Sequence, residues 1–291
     1  MSHTVYASLS AENNCSILGI ICNMSKVDEV NLDEQKFRII SRLNELWWNE
    51  NGDLVTLHSS SKLLARYIRD EIVRGGIARA DSMHTDTPLS DVSVLEVGCG
   101  GGILTEQLAR MGCTITGIDV IVDLIEVGKQ RASSDPFLLS KVIYKKESVE
   151  EHAVHNAEKY DVVVSHFCLE QSDDHNSFIN FCSKCLKPGG IIFTSTVSKT
   201  FWSWLGIVYL FEKFLKCIPV GMHDWDRCIT AGDFRQILKR NDCTTIGTRG
   251  FYYNYFTKNS FWIPGLCLFY ITHAKKNIHE EQHEDDHNCK N

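Results

Sequence analysis

The apolar positions along the chain change period several times, and each change marks an element. From Asp33 to Leu46 they fall at Phe37, Ile40, Leu43 and Leu46, the spacing of one helix face. Trp47-Trp48-Asn-Glu-Asn-Gly-Asp53 follows and closes in a turn. Lys62 to Ile72 predicts a second helix, with Leu64, Ile68 and Ile72 along one side and Gly75-Gly76 to stop it. Ala78 to Ser90 is a polar connector containing Pro88. Strand and helix patterns then alternate: Val92–Val97, Ile103–Met111, Thr114–Ile118, Leu124–Ala132, Val142–Tyr144, Asp161–Ser165, Phe178–Leu186 and Ile191–Thr196. This alternation predicts an α/β fold, a mostly parallel sheet with right-handed crossovers and helices on both faces.

From Ser198 the pattern changes. Phe201 to Ile218 is aromatic and apolar, broken by charge only at Glu212, Lys213 and Lys216. Two placements suit it: a buried cap helix, or a lid whose greasy face lies on a membrane or receives a lipid tail. The loop Pro219-Val-Gly-Met-His-Asp-Trp225 follows, then a helix over Asp233–Asn241 and two aromatic closing strands, Gly250–Phe256 and Leu266–Ile271. The expected domain is 37–276, with the lid at about 198–225. A flexible extension precedes it over 1–36, and an acidic, histidine-rich tail follows over 277–291. Histidines 279, 283 and 287 would share a helix face able to hold metal. With no apolar residue to anchor that segment, a solvated, disordered tail is expected.

Composition narrows the function. The chain is 43% hydrophobic and 23% charged, as soluble globular proteins are. Its net charge of −7 argues against nucleic acid, because phosphate binding needs a basic face. The 12 cysteines are scattered without repeated C-x-x-C pairs, which points to reduced thiols in a reducing compartment rather than a zinc site or a disulfide frame. Met1 to Asn31 carries no Arg but has Glu12, Asp28 and Glu29, so no convincing mitochondrial presequence is expected. Ile17–Cys22 is too short to span a bilayer.

The chemistry centres on Val92-Ser-Val-Leu-Glu-Val-Gly-Cys-Gly-Gly-Gly102, a strand running into a glycine turn before a helix. Such a unit brings backbone N–H groups and a helix N-terminus close to a ligand. The nicotinamide pattern G-x-G-x-x-G fails, because its third position is Ile103. The run is instead acidic-x-Gly-x-Gly-Gly-Gly from Glu96. Asp119 ends the next strand about 20 residues on, where a carboxylate accepts ribose hydroxyls. With Lys187-Pro-Gly-Gly190 ahead of a later strand, this resembles motif I and its surroundings in the class I S-adenosylmethionine-dependent methyltransferases. The expected architecture is therefore their Rossmann-like sheet with an added apolar helical lid. Gly98, Asp119 and His166 each end a strand and are expected to converge.

More particular words extend the resemblance: Trp47-Trp48 with Gly52 and Leu57-His58, Val149-Glu-Glu-His-Ala153 before Tyr160-Asp-Val-Val163, Ser203-Trp204, Ile218-Pro-Val-Gly-Met-His-Asp224 and Tyr253-Asn254. From about Phe37 to about Lys275 the chain resembles the ubiquinone-biosynthesis O-methyltransferases, which methylate catechol hydroxyls on polyprenylated rings. The resemblance implies S-adenosylmethionine as cofactor, with Gly98, Gly100, Asp119 and His166 as contacts. The family's early cofactor-binding Arg falls on Leu64, so either nearby Arg66 substitutes after a local shift or that contact is missing. It also implies Mg²⁺ held by a Glu-x-x-Glu-His run after the fourth core strand. Here that run is Phe167-Cys-Leu-Glu170-Gln171, which keeps Glu170 alone as a hard-cation ligand.

The partners implied are a polyprenylated catechol substrate, a membrane surface met by the lid, and other ubiquinone-biosynthesis proteins. The placement implied is the matrix face of the mitochondrial inner membrane, a cytoplasmic one being the alternative. Ionising a phenol of pKa near 10 at neutral pH costs roughly 4 kcal/mol. A bound cation would lower that cost; without one a histidine must act as general base. His223, oriented by Asp224, and His166 are the candidates. The departures leave two alternatives open: a catalytically weakened cofactor-binding subunit of a ubiquinone-biosynthesis assembly, and a metal-independent methyltransferase of another lipid or phenol.

Overall fold

The computed structural model describes residues 32–205 and 225–278. Most of the N-terminal extension, the apolar segment 206–224 with His223 and Asp224, and the tail from 279 lie outside the described residues.

Strands β1 (Ser93–Val97), β2 (Thr114–Asp119), β3 (Val142–Lys146), β4 (Tyr160–His166), β5 (Leu186–Val197), β6 (Cys243–Asn254), β7 (Asn259–Ile263) and β8 (Phe269–Lys276) form one sheet in the order β3-β2-β1-β4-β5-β8-β6-β7. β3 through β5 pair in parallel. β8 lies antiparallel between β5 and β6, so β6 runs with the parallel set, and β7 folds back outside it as a hairpin. The helices are α1 (Leu32–Trp48), α2 (Val55–Arg74), α3 (Ile103–Arg110), α4 (Val122–Ser133), α5 (Pro136–Lys141), α6 (Val149–His155), α7 (His175–Cys185) and α8 (Ala231–Arg240). Among the described residues no helix is long and apolar enough to cross a membrane.

Because successive strand residues point to opposite faces, the core divides in two. Val94, Ile115, Val164 and Phe193 pack beneath Leu64, Ile68 and Ile72 of α2 and Leu104 and Leu108 of α3. Leu95, Val97, Val163 and Ile192 pack on the other side against Phe178 and Ile179 of α7 and Phe234 and Leu238 of α8. A third cluster, Ile40, Leu43, Trp47, Ile103, Leu124 and Val127, seats α1 on α4 beside the start of α3. Among the α1 side chains described, those at 40, 43 and 47 are buried, with Leu46 only half-buried.

The parallel half matches the pattern of apolar runs closely; the rest departs from it in instructive ways. α2 begins at Val55, seven residues before the predicted start, because Ser59-Ser60-Ser61 masks its first turns. α6 was not expected from apolar spacing. It is set by a capping box, in which Ser148 Oγ accepts from Glu151 N–H and the Glu151 carboxylate accepts from Ser148 N–H. β8 lies a few residues beyond its predicted span, because pairing with β5 draws Thr272 to Lys275 into the ladder despite their polarity. β6 likewise starts at Cys243, with a bulge between Thr245 and Gly247.

Phe193 is fully buried in mid-sheet and stacks on His273 at 5.5 Å between ring centroids. Phe193→Ala should cost about 3–5 kcal/mol of stability, read from chemical denaturation.

Candidate active site

The site is built at the carboxyl edge of β1, β2 and β4. After β1 the chain turns through Gly98 (φ +74°) and Gly100 (φ +54°), conformations that favour glycine. Gly98 N–H and Cys99 N–H both donate to Ile118 O, at 2.9 and 3.0 Å, which ties the turn to the end of β2. Asp119 then closes the arrangement. One carboxylate oxygen accepts from Gly100 N–H at 2.9 Å and the other from Ile121 N–H at 2.9 Å. Burial raises the Asp119 pKa, opposed by the N–H groups of Ile121, Gly100 and Val120. An ionised carboxylate has about four acceptor positions, so this one keeps capacity for a ligand. Val120, the next residue, is exposed and offers an apolar surface beside it.

The turn's N–H groups at 98, 99, 100 and 102 are spent inside the fold, the last on Cys99 O. The expectation that they would be offered to a ligand is therefore corrected. Nor is the space beside these glycines open on the side where a Cβ would stand. A methyl at Gly98 would collide with Cys168, and one at Gly100 would lie 2.5 Å from the Trp47 ring.

Trp47 is a residue that spacing alone did not single out as part of the site. It caps the turn from α1 and is 8% exposed, and its indole N–H has no hydrogen-bond partner among the described residues. His58 holds it there. The His58 Nε2–H donates to Trp47 O at 2.8 Å, so the start of α2 fastens the end of α1. Trp48 beside it packs edge-on against His58 and carries the Arg131 guanidinium over its ring at 4.4 Å. The two aromatic and Leu-His words are thus one device.

His166 lies at the carboxyl end of β4 but is buried. Ser195 Oγ lies 2.6 Å from its Nδ1, and its Nε2 lies 3.0 Å from Ser60 Oγ, which donates to Leu57 O. One proton assignment satisfies all three: Ser195 O–H to Nδ1, Nε2–H to Ser60, Ser60 O–H to Leu57. Burial pushes the ring pKa down to about 3, so it is neutral. With both nitrogens engaged, His166 fastens α2 to the sheet and offers no lone pair for a substrate proton, which corrects its candidacy as the base. Arg66 stands exposed on α2, while Leu64, on which the family's Arg falls, is buried in the core.

The three positions where a cation site was implied diverge. Phe167 has a left-handed backbone (φ +52°), rare for a bulky residue and worth about 1–3 kcal/mol of strain. Its ring packs among His166, Phe251 and Phe269. Glu170 is buried and accepts from Thr196 Oγ1 at 2.7 Å. Gln171 is exposed. No three His, Cys, Asp or Glu side chains come together for a metal among the described residues. These residues do not fit Mg²⁺.

Beneath the turn, Glu96 is buried, with Thr105 Oγ1 donating to its carboxylate. Burial drives its pKa up to about 8, the Thr105 bond opposing and the Asp119 charge adding.

A strand, glycine turn and helix joined to an acid on the next strand, at the carboxyl edge of this sheet order, define a class I S-adenosylmethionine-dependent methyltransferase fold. Residues 95–194 match a methyltransferase domain family. Magnesium protoporphyrin IX methyltransferase from Synechocystis PCC 6803, solved with bound SAH, shares the fold at a TM-score of 0.51 and 15% identity, over 89% of this chain and 93% of that one. The mitochondrial ubiquinone biosynthesis O-methyltransferase of Mus musculus is 34% identical over 88% of this chain and 68% of its own length. The ubiquinone biosynthesis O-methyltransferase of Vibrio parahaemolyticus is 32% identical over 84% of this chain and 97% of its own. The chain belongs to the ubiquinone biosynthesis O-methyltransferase family.

A carboxyl protonated in the fold and ionised in the unfolded chain gives the native state an extra proton between pH 4.5 and about 8, so stability falls as pH rises through that window. Glu96→Gln should flatten this slope and unfold later than the parent at about pH 7.5, by roughly 2–4 kcal/mol, in denaturant titrations across pH.

Proposed function

We propose that this chain is an S-adenosylmethionine-dependent O-methyltransferase acting on a catechol hydroxyl of a polyprenylated ubiquinone precursor. The observation that carries the reading is Asp119, a carboxylate fixed to the glycine turn with acceptor capacity left over, in a chain of this family. When bound, the cofactor supplies a methyl group on a sulfonium centre. The chain's own residues do the rest. Asp119 would accept the ribose hydroxyls, and the exposed Val120 beside it offers an apolar surface to the base. Trp47 covers the turn, and its indole N–H, unpartnered among the described residues, would be free to donate to the cofactor. Holding the acceptor oxygen in line with the methyl group supplies much of the acceleration.

Removal of the phenolic proton falls to His223, oriented by Asp224, both outside the described residues. The acceptor's tail suits the sheet's carboxyl edge, where Phe201, Trp202 and Trp204 follow β5 and Tyr255 and Phe256 tip the β6–β7 hairpin, all exposed. With the apolar segment after Trp204, these rings support contact with a membrane surface and its lipid-borne substrate. Mitochondrial relatives support a mitochondrial placement, although bacterial relatives carry the same family name.

Labelled S-adenosylmethionine with a short-tailed demethylubiquinol should yield a labelled methoxy product. Cofactor binding without transfer to any catechol would instead favour the reading of a non-catalytic subunit. Asp119→Ala should weaken S-adenosylmethionine binding about 10- to 100-fold by calorimetry, the scale of lost hydrogen bonds to a charged group.

A further inference from the structure

The cation that the family resemblance led one to expect would have oriented the acceptor ring, and Phe167, Glu170 and Gln171, at the implied ligand positions, do not fit it. Something else must fix that ring. We propose that Phe167 is the platform on which the acceptor's aromatic ring seats, in place of a resident divalent cation. This deepens the proposed activity and rests on it.

Four observations converge on Phe167. It immediately precedes Cys168, whose thiol lies against Gly98, so it neighbours a residue packed on the glycine turn. Its backbone is held at φ +52° by a bond from its N–H to Ser195 O at 3.0 Å. A large side chain kept in that conformation signals a position dictated by its surroundings, and such positions concentrate at functional sites. His166 lies against the ring at 4.3 Å and 31°, while Phe269 meets it edge-on at 5.3 Å and 69°, which fixes the ring plane. Finally, the residue is only half-buried, so part of it stays accessible at the sheet's carboxyl edge.

A fixed, partly open aromatic ring selects a flat aromatic partner, through offset or edge contacts at ring separations of about 4.5–7 Å. It orients the acceptor ring without binding its oxygens. The remaining carboxylate of the old ligand run, Glu170, is committed to Thr196 at the end of β5. The substrate class this seat takes is therefore a phenolic ring recognised by its π face, with its tail leaving toward the exposed rings at 201–204 and 255–256.

The test is calorimetric titration of the full-length protein with a methoxyphenol bearing one isoprenyl unit, run with and without S-adenosylhomocysteine. Phe167→Leu should bind this probe about five- to tenfold more weakly than the parent, the scale of one aromatic contact, and Phe167→Tyr should restore it. S-adenosylhomocysteine affinity should not change in either variant. Should Phe167→Leu fold poorly, Phe167→Met serves as the flexible apolar replacement. Equal affinity for parent and aliphatic variant, or no binding of the probe by the parent, overturns the platform. A second arm measures methyl transfer in EDTA. An unchanged rate is expected, and loss in EDTA restored by Mg²⁺ overturns the cation-free seat. Failure to bind S-adenosylhomocysteine would count against the activity proposed above, while the probe titration without it still reads the ring contact.

Discussion

The bond from Gly100 N–H to the Asp119 carboxylate is the constraint on which the site depends. It joins the ends of two adjacent strands, fixes a turn whose backbone most side chains would disfavour, and holds a carboxylate at the carboxyl edge of the sheet. The same carboxylate also accepts Ile121 N–H and so sets the entry into α4. A group that organises the protein and retains acceptor capacity can position a ligand without first having to be ordered, which spares binding that entropy.

Around this bond the fold is tied by side chains from distant parts of the chain. His58 fastens Trp47 over the glycines, and Ser60 fastens α2 to β4 and β5 through His166. The neutral, doubly bonded His166 shows how a histidine at a catalytic-looking position can be structural. Burial without a charged partner removes its proton and its neighbours use both nitrogens. The glycines are accounted for in a similar way, since protein side chains, not an open hollow, occupy the space beside Gly98 and Gly100.

The parallel half of the sheet was legible because buried strands and amphipathic helices write their period directly into the sequence; β1, β2, α3 and α4 lie close to where apolar spacing puts them. The antiparallel half was less so. Thr272, His273 and Lys275 join β8 because β5 and β6 offer them partners, and pairing of that kind leaves little local signal. α6 was signalled only by its cap, Ser148 with Glu151, and not by apolar spacing.

The sequence by itself determined the fold class, the glycine turn, the acid at the end of β2 and the loss of two implied cation ligands. These follow from residue type and short-range spacing, where backbone conformation and side-chain chemistry are local properties. Only the tertiary structure decided what each group faces: that Trp47 covers the turn, that His166 is sealed between two serines, that Arg66 points outward and that Phe167 is held in a cluster with Phe251 and Phe269. Burial, and the partners burial supplies, depend on segments brought together across the chain, and no window of sequence contains them.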